Sequence, residues 1–446
     1  MFPSPRRVLN TPIRIRGLAA ARLPSALFHP ATLFCGVWLL TIALYRMHLS
    51  ELLVIPMATV ANLMAWILVP FLVVWALATA MWGWAPKKGS ATSAQFHTPG
   101  PSPLEAVEAR ADRWFLYWLA LTLVEVVFSG GVPLLWLLSG AGKGYTKFGL
   151  PVVHVFAASL IGVVAATKLG LYLLHGDRRR LLIPAFQLLW GVVIISRGMI
   201  MVALLEYVVL WACLRGIRIK SAFRVIALAI VVVLLFGYLG DLRGAGDFRE
   251  VARPTENYPN WLPSGVLWFY IYLTSPLQNL SQTTLVVKSA NDPFFPRTLV
   301  DVYPTPLRNA LLGENYLQKQ ASGDLIESSL NVSSAYVGPY RDYGRWGMAA
   351  YSATLALVAV FAWNRRRRSL RDQVVYVVLA VCLTLTVFWN YLFYNAYLSQ
   401  LFWIFYIFRS GRFRLLPKPL SSYLQVLPSG APCPPASTVP QGASLS

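Results

Sequence analysis

Charge is scarce in this chain. Only 13% of its 446 residues are Asp, Glu, Lys or Arg, against 57% apolar, and a soluble domain of this length carries roughly twice that share of charge. An ordinary soluble fold is therefore excluded, which leaves an integral membrane protein. Acidic residues are the rarer sign, 18 against 39 basic, for a formal net charge of +21. Such an excess would suit nucleic acid. Here, however, the basic residues fall in short clusters between apolar runs, as membrane insertion demands, so nucleic acid is rejected as a partner. Cysteine is also sparse: Cys35, Cys213 and Cys382 lie in apolar segments and Cys433 in a tail. No CxxC or Cys/His spacing points to zinc, and no disulfide set is implied. The phosphate-binding loop, HExxH, GxSxG and dinucleotide fingerprints are missing. No DxD-like pair is present to hold a metal and a nucleotide sugar. The sequence thus implies no metal and no cofactor, and it disfavours a nucleotide-sugar enzyme.

What the chain does have is a series of apolar runs near the ~17–25 residues that a helix needs to cross the hydrocarbon core. We read ten, at about 27–47, 54–82, 113–130, 151–174, 181–196, 198–214, 222–240, 346–363, 373–390 and 392–408. Every second loop is basic, and 25 of the 39 Lys and Arg fall on one side by this count. That side is the cytoplasm, with both termini in it. Basic residues extend through Arg22 before the first run, so the first span is expected to be an uncleaved anchor. The expected organisation is a basic tail (1–26), spans one to seven (27–240), a long external loop (241–345), spans eight to ten (346–408) and a disordered tail rich in Pro, Ser and Gly (409–446). Residues 181–214 are too long for one crossing. Both of their flanks are basic, so the run is broken at Ser196-Arg197-Gly198 into a hairpin of two short helices. Within the external loop, Trp261 to Val287 carries no formal charge but holds Pro263, Pro276, Gln278, Asn279 and Gln282. It reads as an interfacial or re-entrant pair of helices, with an eleventh span as the alternative.

The polar residues of the outer half carry the chemistry. Arg197, at the hairpin tip, is expensive in a membrane unless it faces water, an anion or a carboxylate, and its planar fork suits phosphate. The bland alternative is a snorkelling arginine that marks the hairpin end. Glu206, nine residues on, is expected to face inward and pair with Arg or Lys. Arg243 stands at the outer boundary in Gly240-Asp-Leu-Arg-Gly-Ala-Gly246, as a second phosphate contact or part of a flexible exit from the seventh span. His154 follows the run Lys143-Gly-Tyr-Thr-Lys147-Phe-Gly-Leu-Pro151 and can take a proton near neutral pH; Glu125 is a further candidate. The long loop closes on Tyr340-Arg341-Asp342-Tyr343-Gly344-Arg345-Trp346-Gly347. Its tyrosines, with Tyr270, suit either sugar faces or the interfacial aromatic belt.

As a set, these residues resemble the bacterial O-antigen polymerases, the oligosaccharide repeat-unit polymerases of the inner membrane. The likeness runs from about residue 110 to 408. It rests on the run entering the fourth span, on Ser196-Arg197-Gly198, on Tyr270-Ile-Tyr-Leu with Gln278-Asn279-Leu280, and on the segment from Tyr340 to Gly347. The resemblance implies an all-α polytopic fold of about ten transmembrane helices with one long periplasmic loop, similar to the membrane glycosyltransferases of the GT-C type. It implies transfer of a growing glycan from undecaprenyl pyrophosphate onto a fresh lipid-linked repeat. Lipid-linked oligosaccharides and membrane lipids would be its partners, with a chain-length regulator and a flippase of the same pathway. On this chain Arg197 and Arg243 would hold pyrophosphate, and Asp342 or His154 would act as base or orient the acceptor. Arg341, Arg345, Tyr343, Tyr340, Tyr270 and Asn279 would contact substrate. The rival readings are an O-antigen ligase, which gives the glycan to lipid A-core, and a flippase of lipid-linked oligosaccharide.

Overall fold

Apolar runs in lipid close on themselves as helices, because the hydrocarbon offers the backbone no hydrogen-bond partner. The computed structural model follows that rule. It describes residues 25–84, 103–217, 248–259, 261–313, 325–327 and 332–409, with single positions at 223, 227, 230, 231 and 330. Among them no strand forms, and a lone bridge joins Ser50 to Pro254. The helices are α1 (Pro30–Arg46), α2 (Met57–Trp84), α3 (Pro103–Ser129), α4 (Pro133–Leu138), α5 (Val153–His175), α6 (Leu182–Val193), α7 (Arg197–Arg215), α8 (Phe248–Ala252), α9 (Ser264–Val286), α10 (Thr305–Leu312), α11 (Val337–Arg365), α12 (Leu370–Thr384) and α13 (Asn395–Ile407).

Among the described residues, six stretches are long and apolar enough to cross a membrane: Met57–Trp82, Glu105–Leu138, Val153–His175, Arg197–Arg215, Val337–Arg365 and Leu370–Val387. Their burial sorts them. The windows in α5 and α12 are 83% and 78% buried, whereas those in α2 and α7 are 22% and 28%. Wide apolar faces left outward around a buried pair of helices mark an all-α membrane protein. One core joins α1, α2, α9 and α11, and a second joins α3, α5, α7, α12 and α13.

Side-chain contacts bring the basic loops to one end. Lys168 of α5 meets Glu108 and Asp112 of α3 at 3.3 and 2.6 Å, and Arg180 grips Glu108 through Nε (2.9 Å) and Nη2 (2.8 Å). At the same end Arg215 donates to Leu173 O (2.6 Å) and Arg110 to Ile407 O (2.7 Å). Tyr376 donates to Phe28 O, and the His29 ring lies 4.7 Å from that of Trp363. Arg365 ends α11, and Arg366 to Arg368 follow directly on it. This clustering agrees with the alternation of charge along the sequence.

Several expectations change in detail. The expected hairpin forms, with Ser196 accepting from Met199 N (3.4 Å) to cap α7. Gly191 lets the two arms close, since a Cβ there would lie 2.7 Å from Ile200. At 12 residues, about 18 Å, α6 is too short to cross alone. The seventh run, 222–240, lies almost wholly outside the described residues, as does Arg243. The expected pair of helices within 261–287 is instead one helix, α9, continuous through Pro276. Two of the polar residues that suggested a break, Gln278 and Asn279, are wholly buried and bonded to distant segments. Gln278 Oε1 accepts from Tyr45 OH and from Ile55 N (3.4 Å). Asn279 donates to Leu330 O (2.9 Å) and Val332 O (2.8 Å) and accepts from Ile326 N (3.1 Å). The eighth helix begins at Val337 rather than near 346 and kinks at Tyr343 and Gly344. Glu206 does face inward, but its partner is the Gln400 amide and not a cation.

Candidate functional site

Opposite the basic end, the far ends of α3, α5 and the α6–α7 hairpin meet. Glu125, on the last turns of α3, turns its carboxylate into the protein, and His154 stands at the second position of α5. Glu125 Oε1 lies 3.2 Å from His154 Nδ1, and the side chains are 2% and 35% exposed respectively. The same oxygen accepts from Leu150 N at 3.3 Å. A buried carboxylate that takes the Nδ1 proton fixes the tautomer and leaves Nε2 as the basic nitrogen.

The connection that delivers His154 is strained. Val152 has φ 73° and ψ −55°, and Val153 N donates to Pro151 O (2.9 Å), closing a γ-turn on a β-branched residue. Such strain persists only where the surroundings hold it, and it gathers at functional sites. Gly149 (φ +91°) makes the approach of His154 to Glu125 feasible. A Cβ there would come within 2.8 Å of the His154 ring and 2.9 Å of Glu125 Oε1. Gly149 N is held by Ser129 Oγ at 2.9 Å. Phe148 lays its edge against the His154 ring, 5.6 Å between centroids.

Phe148 also joins this turn to the hairpin, packing with Trp136 and Ile194 in a small cluster that includes Trp190 and Met199. Arg197, exposed at the first turn of α7, lies three residues from Ile194 and two from Met199, so the cluster seats it at the same end as His154. Lys143 and Lys147 are exposed on the connecting loop, and Lys143 Nζ sits 5.3 Å over the Trp136 ring. The end therefore combines a carboxylate-held imidazole with two ammonium groups and a guanidinium.

The remaining candidates are built on other elements. Asp342 is wholly buried. Its Oδ1 accepts from Arg297 N (3.0 Å) and Nη1 (3.4 Å), and its Oδ2 from Thr298 N and Oγ1 (both 2.7 Å). Four donors fill the roughly four lone-pair positions of a carboxylate, so no position remains for an acceptor hydroxyl. Around it, Ala290 N donates to Arg341 O (2.8 Å), Asp292 N to Asp342 O (2.6 Å), and Tyr340 OH to Thr284 O (3.0 Å). Gly347 lets the first turn of α11 fold against the long part of the helix, since a Cβ there would lie 2.1 Å from Pro339 O. The closing segment thus anchors the strap 289–298. Tyr270 OH accepts from Leu49 N (2.9 Å), and Asn279 is wholly buried, so both face protein partners. Arg341 is buried, whereas Tyr343 and Arg345 are exposed. The structure therefore brings together His154, Glu125, Arg197 and the loop lysines, and holds Asp342, Arg341, Tyr340, Tyr270 and Asn279 elsewhere. The sequence did not single out Gly149 or Val152, although Gly149-Leu-Pro151 ahead of a histidine is a tight-turn signal. Thr298 carried none.

Among the described residues, no group of three His, Cys, Asp or Glu side chains gathers closely enough to hold a metal. Comparison of the chain with protein-family models, with curated proteins and with solved structures finds no match.

Proposed function

We propose that this protein is a membrane glycosyltransferase that transfers a growing glycan from undecaprenyl pyrophosphate onto a lipid-linked repeat unit, at the outer face of a bacterial inner membrane. The observation that carries the proposal is the Glu125–His154 pair set beside Arg197 and the loop lysines at one end of a lipid-facing bundle. The acceptor hydroxyl gives its proton to His154 Nε2 as its oxygen bonds to the anomeric carbon. The carbon–oxygen bond to the pyrophosphate breaks, and that oxygen leaves with the electron pair. Charge then builds on phosphate oxygens, where a guanidinium and two ammonium groups stabilise it without a metal. Glu125 holds the imidazole in its tautomer and offsets the imidazolium that forms.

Ten apolar segments then form a GT-C-like arrangement in which the short α6–α7 hairpin enters from and returns to the cytoplasmic side, with residues 241–345 outside and both tails in the cytoplasm. A flippase would place charges along a passage at many depths, whereas the sequence crowds its polar residues into the outer half. Surface glycan from a deletion strain tests the reading. Lipopolysaccharide capped with a single repeat is the expected result. Naked core would instead identify a ligase, and intermediates retained at the cytoplasmic face would identify a flippase.

A further inference from the structure

Glu206 lies halfway along α7 and is 1% exposed. Its Oε1 accepts from Gln400 Nε2 of α13 at 3.1 Å. The other oxygen of each group, Glu206 Oε2 and Gln400 Oε1, has no hydrogen-bond partner among the described residues. Both are acceptors as drawn, and both belong to groups already joined by one bond. The α5 helix passes at Gly162, where a Cβ would lie 3.0 Å from Gln400 Nε2 and 3.8 Å from both Gln187 Nε2 and Glu206 Oε2. Side chains from α6, α7 and α13 thus converge on one bare stretch of α5. Among the described residues, no lysine, arginine or histidine is paired with Glu206. The titratable groups that face it are Cys382 on α12, Tyr397 on α13 and its neighbour Tyr207.

We propose that Glu206 is a proton-binding site at the centre of the bundle, held as the carboxylic acid by edge-to-edge pairing with the Gln400 amide. A single proton on Oε2 turns that orphan acceptor into a donor, and Gln400 Oε1 is the acceptor it needs. The result is the two-bond pairing of a carboxylic acid with a primary amide, which satisfies both groups at once. Loss of the proton restores two unpaired acceptors, one of them charged and shut away from water. The α7–α13 contact is therefore tied to proton occupancy. This site is separate from the transfer site proposed above and stands without it.

The full-length protein in lipid nanodiscs provides the test. Infrared spectra at neutral pH should show the carbonyl band of a protonated carboxylic acid, lost in Glu206→Gln and shifted in Gln400→Leu. Glu206→Gln, which imitates the neutral acid, should keep the melting midpoint of the parent. Dicyclohexylcarbodiimide, which attacks protonated carboxyls in apolar surroundings, should label Glu206 of the unaltered protein, with labelling lost at alkaline pH. This second readout needs no variant to fold. Absence of both the band and the label at neutral pH would overturn the proposal. So would a sodium-dependent rise in the melting midpoint that vanishes in Glu206→Gln, which would mark a cation site.

Discussion

Replacing Asp342 by Asn changes one oxygen to an amino group and nothing else in size. On a surface that exchange is mild, but here each oxygen faces two donors. Whichever way the amide turns, its NH2 meets donors. The less costly orientation puts it against Thr298, whose hydroxyl can rotate to accept. Thr298 N–H, bonded at 2.7 Å in the parent, then has no acceptor. A buried donor left unsatisfied costs about 1–3 kcal/mol, and the remaining bonds from Arg297 lose their charge-assisted strength. We expect about 2–4 kcal/mol of destabilisation, which at ~1–3 °C per kcal/mol for a chain of this size lowers the melting midpoint by about 2–12 °C. Asp342→Ala, which strips all four acceptor positions from a buried ionic contact, should cost about 3–5 kcal/mol. The exposed Arg345 is the control, and its alanine variant should stay within ~0.5 kcal/mol of the parent. Thermal unfolding of the purified variants in one detergent would measure all three. An Asp342→Asn midpoint within about 1 °C of the parent would refute the reasoning and return Asp342 to the list of groups free to meet substrate.

Gly149→Ala places a Cβ against both His154 and Glu125 at φ +91°, so glycan extension should fall steeply for a stability loss of about 1–3 kcal/mol. Equal extension at equal abundance would dispose of that argument. Cysteine labelling should reach the exposed position 303 from outside and the exposed position 367 from the cytoplasm. Labelling of 303 only from the cytoplasm would reverse the topology.

Much of the helical scaffold was legible because lipid leaves few options. Apolar length and alternating basic loops located most of the helices, and the hairpin break followed from the excess length of 181–214. The misreadings share one cause. Pro276, Gln278 and Asn279 look like breakers or interfacial residues when their partners are unknown. Those partners lie far along the chain at Tyr45, Ile55, Ile326, Leu330 and Val332. Asp342 misled in the same way, because a carboxylate between two arginines resembles a reactive group until Thr298, 44 residues away, fills its lone pairs. His154 was visible as a histidine at a helix start. That it closes on Glu125 through a glycine and a strained valine is tertiary information, which residue spacing does not carry.

The central claim is that the Glu125–His154 pair moves the proton in glycan transfer. The most direct measurement is single-turnover extension by the purified protein, supplied with undecaprenyl-pyrophosphate-linked repeats, comparing the parent with His154→Ala and Glu125→Gln. His154→Ala should lose about 10²–10⁴-fold in rate, the usual contribution of a general base, and Glu125→Gln should lie between it and the parent. Parent-like rates from a folded His154→Ala protein would contradict the claim.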